Sequence, residues 1–223
     1  FNGIVSPIVY DNEQHIVCKN NPKDDVEPFE YNDRTRTLYA GADSVSAGKF
    51  AFTFPVPLDI NYSDEPGLII LHAISHDKSI EAQGLFEDFL IGDTYIEEQT
   101  DTVGPTIAAY SDGHNTGEIS ITTTTPTIRI TLYDENGINT TGNGLDHDII
   151  AIIDGKEALT YTLNSHYTQA IGDYRSGTVE YTLPTLPAGK HTLTVRAFDT
   201  LNNMGEGHYS FEAVEGLQEE YDI

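Results

Sequence analysis

The sequence predicts an all-β chain of two tandem β-sandwich domains, the second immunoglobulin-like. Apolar and polar residues alternate in short runs closed by Gly, Pro, Asn and Asp clusters, the pattern of half-buried strands and their turns. No stretch holds an apolar stripe at helical spacing over three turns, so little helix is expected. The 223 residues leave room for two modules of about 100 each, the usual size of an immunoglobulin-like sandwich.

In the first half, the run 50–56 alternates Phe50, Phe52 and Phe54 with smaller or polar residues and reads as a strand. The continuous apolar run 68–71 reads as a central strand covered on both faces. Residues 86–91 read as a further strand, closed by Gly92 and Asp93. Turn clusters separate these runs at 20–22, 63–67 and 76–78.

The polar, acidic stretch that starts at Glu97 and ends in Gly104-Pro105 marks the boundary. The predicted division is 1–97 for the first sandwich, 98–105 for the linker, 106–216 for the immunoglobulin-like sandwich and 217–223 for a tail. A short linker ending in Gly-Pro predicts a fixed or limited-hinge arrangement.

The second half alternates more clearly. Ile128, Ile130 and Leu132 face away from Thr127, Arg129 and Thr131, and residues 149–153 form a buried-type run ended by Asp154-Gly155. Val179, Tyr181 and Leu183 oppose Thr178, Glu180 and Thr182; Leu193, Val195 and Ala197 oppose Thr192, Thr194 and Arg196; Tyr209 and Phe211 close the pattern. About seven short strands spaced by turns is the sandwich signature.

Charge excludes several functions. The chain carries 36 acidic and 11 basic residues, a formal net charge of −25. Nucleic-acid binding needs a basic footprint, so it is excluded, and docking on anionic lipid is disfavoured. No apolar run approaches the roughly 18 residues needed to span a bilayer, so no direct membrane insertion is expected. The single cysteine, Cys18, permits no intrachain disulfide and sits in an alternating, strand-like context. The chain opens on Phe1-Asn2-Gly3 without a Met or a leader, which reads as an internal fragment.

Catalytic patterns fail. G-x-S-x-G and H-E-x-x-H are absent, and the glycines at 142 and 144 lack the third glycine and the helix of a phosphate cradle. His72 and His76 stand four apart in a strand-and-turn context, and His191 is read on the outward, solvated side of its strand. No catalytic or cofactor-binding residue is predicted.

The acidic loops offer one cofactor reading. Residues 134–139 have the oxygen-rich, Gly-turned composition of part of a calcium loop, but the twelfth position is Leu145, not Glu. Asp146 and Asp148 flank His147, and Asp199 is followed by Asn202 and Asn203. Asp134, Asp146, Asp148 and Asp199 are therefore candidate Ca²⁺ ligands if their loops meet at one end of a sandwich. The alternative is that these residues make turns and satisfy their own backbone. Aromatic platforms for glycans are not evident: Trp is absent, and Tyr161 and Tyr181 fit strand alternation as core or rim residues.

Several segments in order resemble one family. They include Asp33-Arg34-Thr35 with Leu38-Tyr39, Gly48-Lys49-Phe50 leading to residues 56–63, and Ala82-Gln83-Gly84 leading to Glu87-Asp88-Phe89. Later come Gly104-Pro105, Asp134 with Gly137-Ile138-Asn139, Gly142-Asn143-Gly144, His147-Asp148, Ile153-Asp154-Gly155 and Gly172-Asp173-Tyr174. Gly189-Lys190-His191-Thr192-Leu193, Ala197-Phe198-Asp199 and Asn202-Asn203 complete the series. Together they resemble the β-sandwich region after the peptidase domain in the gingipain-like cysteine peptidases that serve as sortases of the type IX secretion system. One departure is Asp146, where the family tends to have Gly.

The resemblance implies a parent protein on the cell surface, at the outer membrane. It would remove C-terminal sorting domains from secreted cargo and help attach that cargo to anionic lipopolysaccharide. The peptidase domain would precede this segment, and a C-terminal module would follow. The segment would be a non-catalytic accessory region, with the peptidase domain and proteins of the secretion machinery as partners. Cys18 matches no catalytic motif of the family. The alternatives are a free-standing adhesive or carbohydrate-binding pair of modules and a structural spacer.

Overall fold

The computed structural model describes residues 1–19, 27–58, 60, 65–92, 101–111, 121–141 and 147–216. These form several sheets, nearly all antiparallel, and the only helical elements among the described residues are two short 3-10 turns at Glu157–Leu159 and Asn164–His166. No helix among the described residues is long and apolar enough to cross a membrane.

The N-terminal part contains strands β1 (Gly3–Tyr10), β2 (Gln14–Val17), β3 (Glu30–Asp33), β4 (Thr37–Ala40), β5 (Asp43–Val45), β6 (Glu65–Pro66), β7 (Leu68–Ser75), β8 (Glu81–Phe86) and β9 (Leu90–Ile91). Its main sheet is five-stranded, in the order β4-β1-β7-β8 with β5 also pairing β1. Two small sheets, β2-β3 and β6-β9, accompany it.

Register divides the main sheet into two unlike faces. Val5 pairs Ala73, Val9 pairs Ile69 and Pro7 pairs Leu71, so these residues share the inner face. There Val9, Leu38, Tyr39 and Ile91 form one apolar cluster, joined by Phe52, Phe54, Phe89 and Tyr174. The outer face carries Ile4 opposite Ile74 and Ile8 opposite Ile70, with Leu85 beside Ile70.

Three strand expectations in this part are corrected. The run 50–56 is not a strand: its alternation arises because Phe52 and Phe54 stack on Tyr39 at 6.1 and 5.0 Å from an irregular segment. Residues 86–91 are split between the end of β8 and the short β9. The run 68–71 lies in a central strand, but one face is uncovered, since Ile70 is 37% exposed.

The C-terminal part contains β10 (Thr106–Ser111), β11 (Ile121–Thr123), β12 (Thr127–Tyr133), β13 (Ile150–Ile153), β14 (Thr160–Thr162), β15 (Tyr167–Ala170), β16 (Asp173–Thr182), β17 (Gly189–Phe198) and β18 (Met204–Val214). One sheet runs β10-β12-β16-β15 and the other β11-β18-β17-β13-β14. These orders are the A-B-E-D sheet and the G-F-C-C′ sheet of an immunoglobulin fold, with β11 added in parallel beside β18. Inward residues from both sheets meet in one core: Ile128, Ile130, Leu132 and Val179 from the first, and Ala151, Ile153, Leu193, Val195 and Phe211 from the second. Full burial of such side chains contributes about 1.5–3 kcal/mol each. Tyr161 and Tyr181 pack against this core at a ring separation of 5.7 Å, as expected.

His191 is also corrected. It lies on the same side of β17 as Leu193 and Val195 and is 8% exposed. Nδ1 pairs with Asp154 at 3.1 Å and Nε2 with the Pro187 carbonyl at 2.8 Å. Its parity matches the apolar residues, so it faces inward, where those two partners satisfy it. Cys18 lies half-buried just beyond β2, with its N–H donated to the Phe29 carbonyl at 2.8 Å.

Candidate functional site

Three carboxylates converge at the end of the C-terminal sandwich nearest β1–β9. Asp134 follows β12, Asp199 follows β17, and Asp101 precedes β10. An oxygen from each lies within 4.8 Å of the others. The loops that carry them are joined by backbone bonds: Asn139 N–H donates to the Phe198 carbonyl at 2.8 Å, Thr200 N–H to the Gly137 carbonyl at 3.1 Å, and Ile138 bridges Asp199.

Each carboxylate is held by its own turn. Asp134 Oδ1 accepts from Asn136 N–H at 2.8 Å. Asp199 Oδ1 accepts from the N–H groups of Leu201 and Asn203 at 2.9 and 2.7 Å, and Oδ2 accepts from the Asn203 amide at 2.8 Å. Asp101 Oδ1 accepts from Val103 N–H at 3.0 Å, and Oδ2 accepts from the Asn136 amide. Asn203 also donates to the Asp101 carbonyl at 3.3 Å. Turn chemistry and convergence therefore occur in the same residues.

Proximity and burial work against ionisation. Asp134 is 6% exposed and Asp199 fully buried. Burial, then repulsion from Asp199 and Asp101, pushes the Asp134 pKa up to about 6 against the pull of the Asn136 hydrogen bond. Burial raises Asp199 as well, opposed by its bonds to Asn203 and Leu201. A proton or a cation would relieve the same repulsion. The donors are all oxygen, the set that hard cations such as Ca²⁺ take.

Of the sequence candidates, the structure brings Asp134 and Asp199 together. Asp148 is half-buried beside His147, whose ring packs on Phe198 at 4.6 Å, and it is not one of the three. Asp146 lies outside the described residues. Asp101 escaped the sequence reading because it sits in the expected linker. Its signal was local: an Asp two residues before Val103, ahead of Gly104-Pro105, is the spacing of an Asx turn.

A second feature is the outer face of the five-stranded sheet. Ile4, Ile8, Ile70, Ile74 and Leu85 share it, with Leu85 64% exposed. All six residues of β8 are exposed at the sheet edge. In a chain with 36 acidic residues, register places only Glu81 among these positions. Ser6, His72 and Gln83 form a polar row between Ile4-Ile74 and Ile8-Ile70-Leu85. The apolar patch is therefore the row Ile8-Ile70-Leu85, and an exposed apolar patch rimmed by polar residues is the form that an interaction surface takes.

No protein-family model matches the chain, and no curated protein matches it. Among solved structures, it matches dimeric latent PorU from Porphyromonas gingivalis with a TM-score of 0.52 and 31% identity, over 98% of this chain and 20% of that one. It therefore spans about a fifth of the length of PorU. In sequence and in fold, and over nearly its whole length, the chain is similar to a region of PorU, the resemblance that the order of its motifs carries.

Proposed function

We propose that this chain is a non-catalytic accessory and scaffolding region of a cell-surface sortase of the type IX secretion system, a gingipain-like cysteine peptidase acting on C-terminal sorting domains. The match to PorU carries this reading, because it covers 98% of the chain at 31% identity while leaving most of PorU outside it. The exposed apolar row Ile8-Ile70-Leu85 on the outer face of the five-stranded sheet supports it too, as a surface for the preceding peptidase domain of the same polypeptide. In this reading the segment acts on the outside of the outer membrane, and its acidic surface faces solvent.

The division at 98–105 belongs to the same proposal: two modules held as one unit. Gly104 and Pro105 pack against the backbone of Met204 and Gly205 so closely that a Cβ on Gly205 would lie 2.0 Å from the Pro105 carbonyl oxygen. That contact docks the linker on the C-terminal half, and two bonds cross the join itself, from Leu58 N–H to the Thr200 carbonyl at 3.0 Å and from Gly172 N–H to the Ala42 carbonyl at 2.9 Å.

The convergence of Asp101, Asp134 and Asp199 favours one additional reading, in which Ca²⁺ binds there to stabilise the join and takes no part in chemistry.

An antibody against this segment tests the main proposal. It should detect, in the outer-membrane fraction, a polypeptide about five times as long as this chain, as the 20% share of PorU implies. A free polypeptide of about 24.6 kDa would instead favour the adhesive or spacer alternatives.

A further inference from the structure

A small cavity lies between the five-stranded sheet and the immunoglobulin-like sandwich. Tyr39, Pro55, Thr140, Tyr167, Gln169 and Thr200 are among its walls. The room it leaves for the centre of a water molecule is about 10 Å³. That is close to the smallest space that holds one water, and too small for anything larger.

The Tyr167 hydroxyl on the wall of this cavity has no hydrogen-bond partner and no solvent exposure. It is the only such buried side-chain atom among the described residues. It cannot simply turn away, because its ring is pressed against Gly177: a Cβ there would lie 2.3 Å from Cζ and 2.4 Å from the hydroxyl oxygen. The large majority of buried side-chain polar atoms are bonded to protein or to ordered water.

Across the cavity, Gln169 Nε2 donates to the Tyr39 hydroxyl at 2.8 Å. That bond uses Tyr39 as an acceptor and leaves its own proton for a further acceptor. Burial, and then the neighbouring Tyr39, holds Tyr167 firmly protonated, so it remains a donor.

We infer that one ordered water fills this cavity, accepts the hydroxyl proton of Tyr167, and links it to Tyr39 across the junction of the two halves. Tyr39 belongs to β4 and Tyr167 to β15, so the water completes a hydrogen-bonded tie from the first sheet to the sandwich. The neighbouring threonine hydroxyls give it further polar walls, as a buried water requires.

A crystal structure of the wild-type chain at high resolution tests this directly. The expected result is one water within about 2.5–3.0 Å of Tyr167 Oη. A dry cavity, or a Tyr167 hydroxyl bonded straight to a protein acceptor, would overturn it. The variant Tyr167→Phe gives an independent reading by its sign. With the water in place, Phe strands one of its partners and lowers Tm by about 2–4 °C. With no water, Phe removes an unsatisfied hydroxyl, so an unchanged or raised Tm overturns the inference. The wild-type crystal structure decides the matter alone if the variant does not fold.

Discussion

The carboxylates of Asp134 and Asp199, both buried, approach within 4.8 Å of each other at the end of the C-terminal sandwich. The folded chain tolerates this pair at a cost that depends on pH. The Asp134 pKa stands at about 6 against an ordinary value of 3.8. A folded pKa above the unfolded one means that the folded state holds the proton more tightly. Stability from this group is therefore fully present below the unfolded pKa and is lost as pH rises through about 6. A tenfold difference in proton affinity is worth about 1.4 kcal/mol, so the loss is up to about 3 kcal/mol. Asp199 adds in the same direction. Urea unfolding from pH 4 to pH 7.5 should show stability falling across that window. Asp134→Asn should flatten the slope and raise stability at pH 7. A wild-type profile that rises through the window would show that the pair is not repulsive.

The same pair predicts a response to calcium. At fixed ionic strength, millimolar CaCl₂ should raise Tm by several degrees relative to EDTA, and MgCl₂ should not reproduce the rise. Binding to the native state alone contributes about 2.7 kcal/mol at a hundredfold excess over Kd. Asp134→Asn should abolish the response. Identical melts in calcium and EDTA would leave Asp101, Asp134 and Asp199 as turn residues whose repulsion only a proton relieves.

Sequence periodicity revealed the C-terminal sandwich because each inward residue there answers one in the facing sheet: Ile128, Ile130 and Leu132 alternate over the same core as Leu193 and Val195. It failed at Phe52 and Phe54, where alternation reflects two rings stacking on Tyr39 and no strand pairing. At His191 the period gives the inward position and residue type misleads, because a polar side chain there is satisfied by Asp154 on a distant turn. Asp134 and Asp199 were legible as acidic turn residues. Their meeting with Asp101 was not, since it depends on three loops folding to one end of the sandwich.

Backbone contact at Gly205 makes the join sensitive to a single methyl group. A Cβ there would lie 2.0 Å from the Pro105 carbonyl oxygen, and one on Gly104 would lie 2.2 Å from the Met204 carbonyl carbon. Neither neighbour is a side chain that can swing aside. Gly205→Ala should destabilise by about 1–3 kcal/mol, the cost of overpacking, as measured by urea unfolding. A neutral result would show that the Gly104-Pro105 segment is free to lift from β18.

Cross-bonds between the halves predict restricted motion. The buried Gln169–Tyr39 bond at 2.8 Å and the Leu58–Thr200 bond at 3.0 Å join them on different strands and loops. Small-angle scattering should fit one compact arrangement. A wide spread of distances between the halves would contradict a single unit.

The outer sheet face bears on the central claim, that this segment scaffolds a peptidase domain. Register puts Ile70 beside Leu85 on that face, 37% and 64% exposed. Exposed substitutions away from special features change stability by about 0.5 kcal/mol or less, and opposite charges at facing strand positions attract, so Ile70→Lys with Leu85→Glu should leave the fold intact. The decisive measurement is calorimetric titration of this chain, wild type and double variant, into the peptidase domain that the proposal places ahead of it. The account predicts binding by the wild type, weakened roughly tenfold or more in the variant at an unchanged Tm. No binding by the wild type, or equal binding by both, would contradict it.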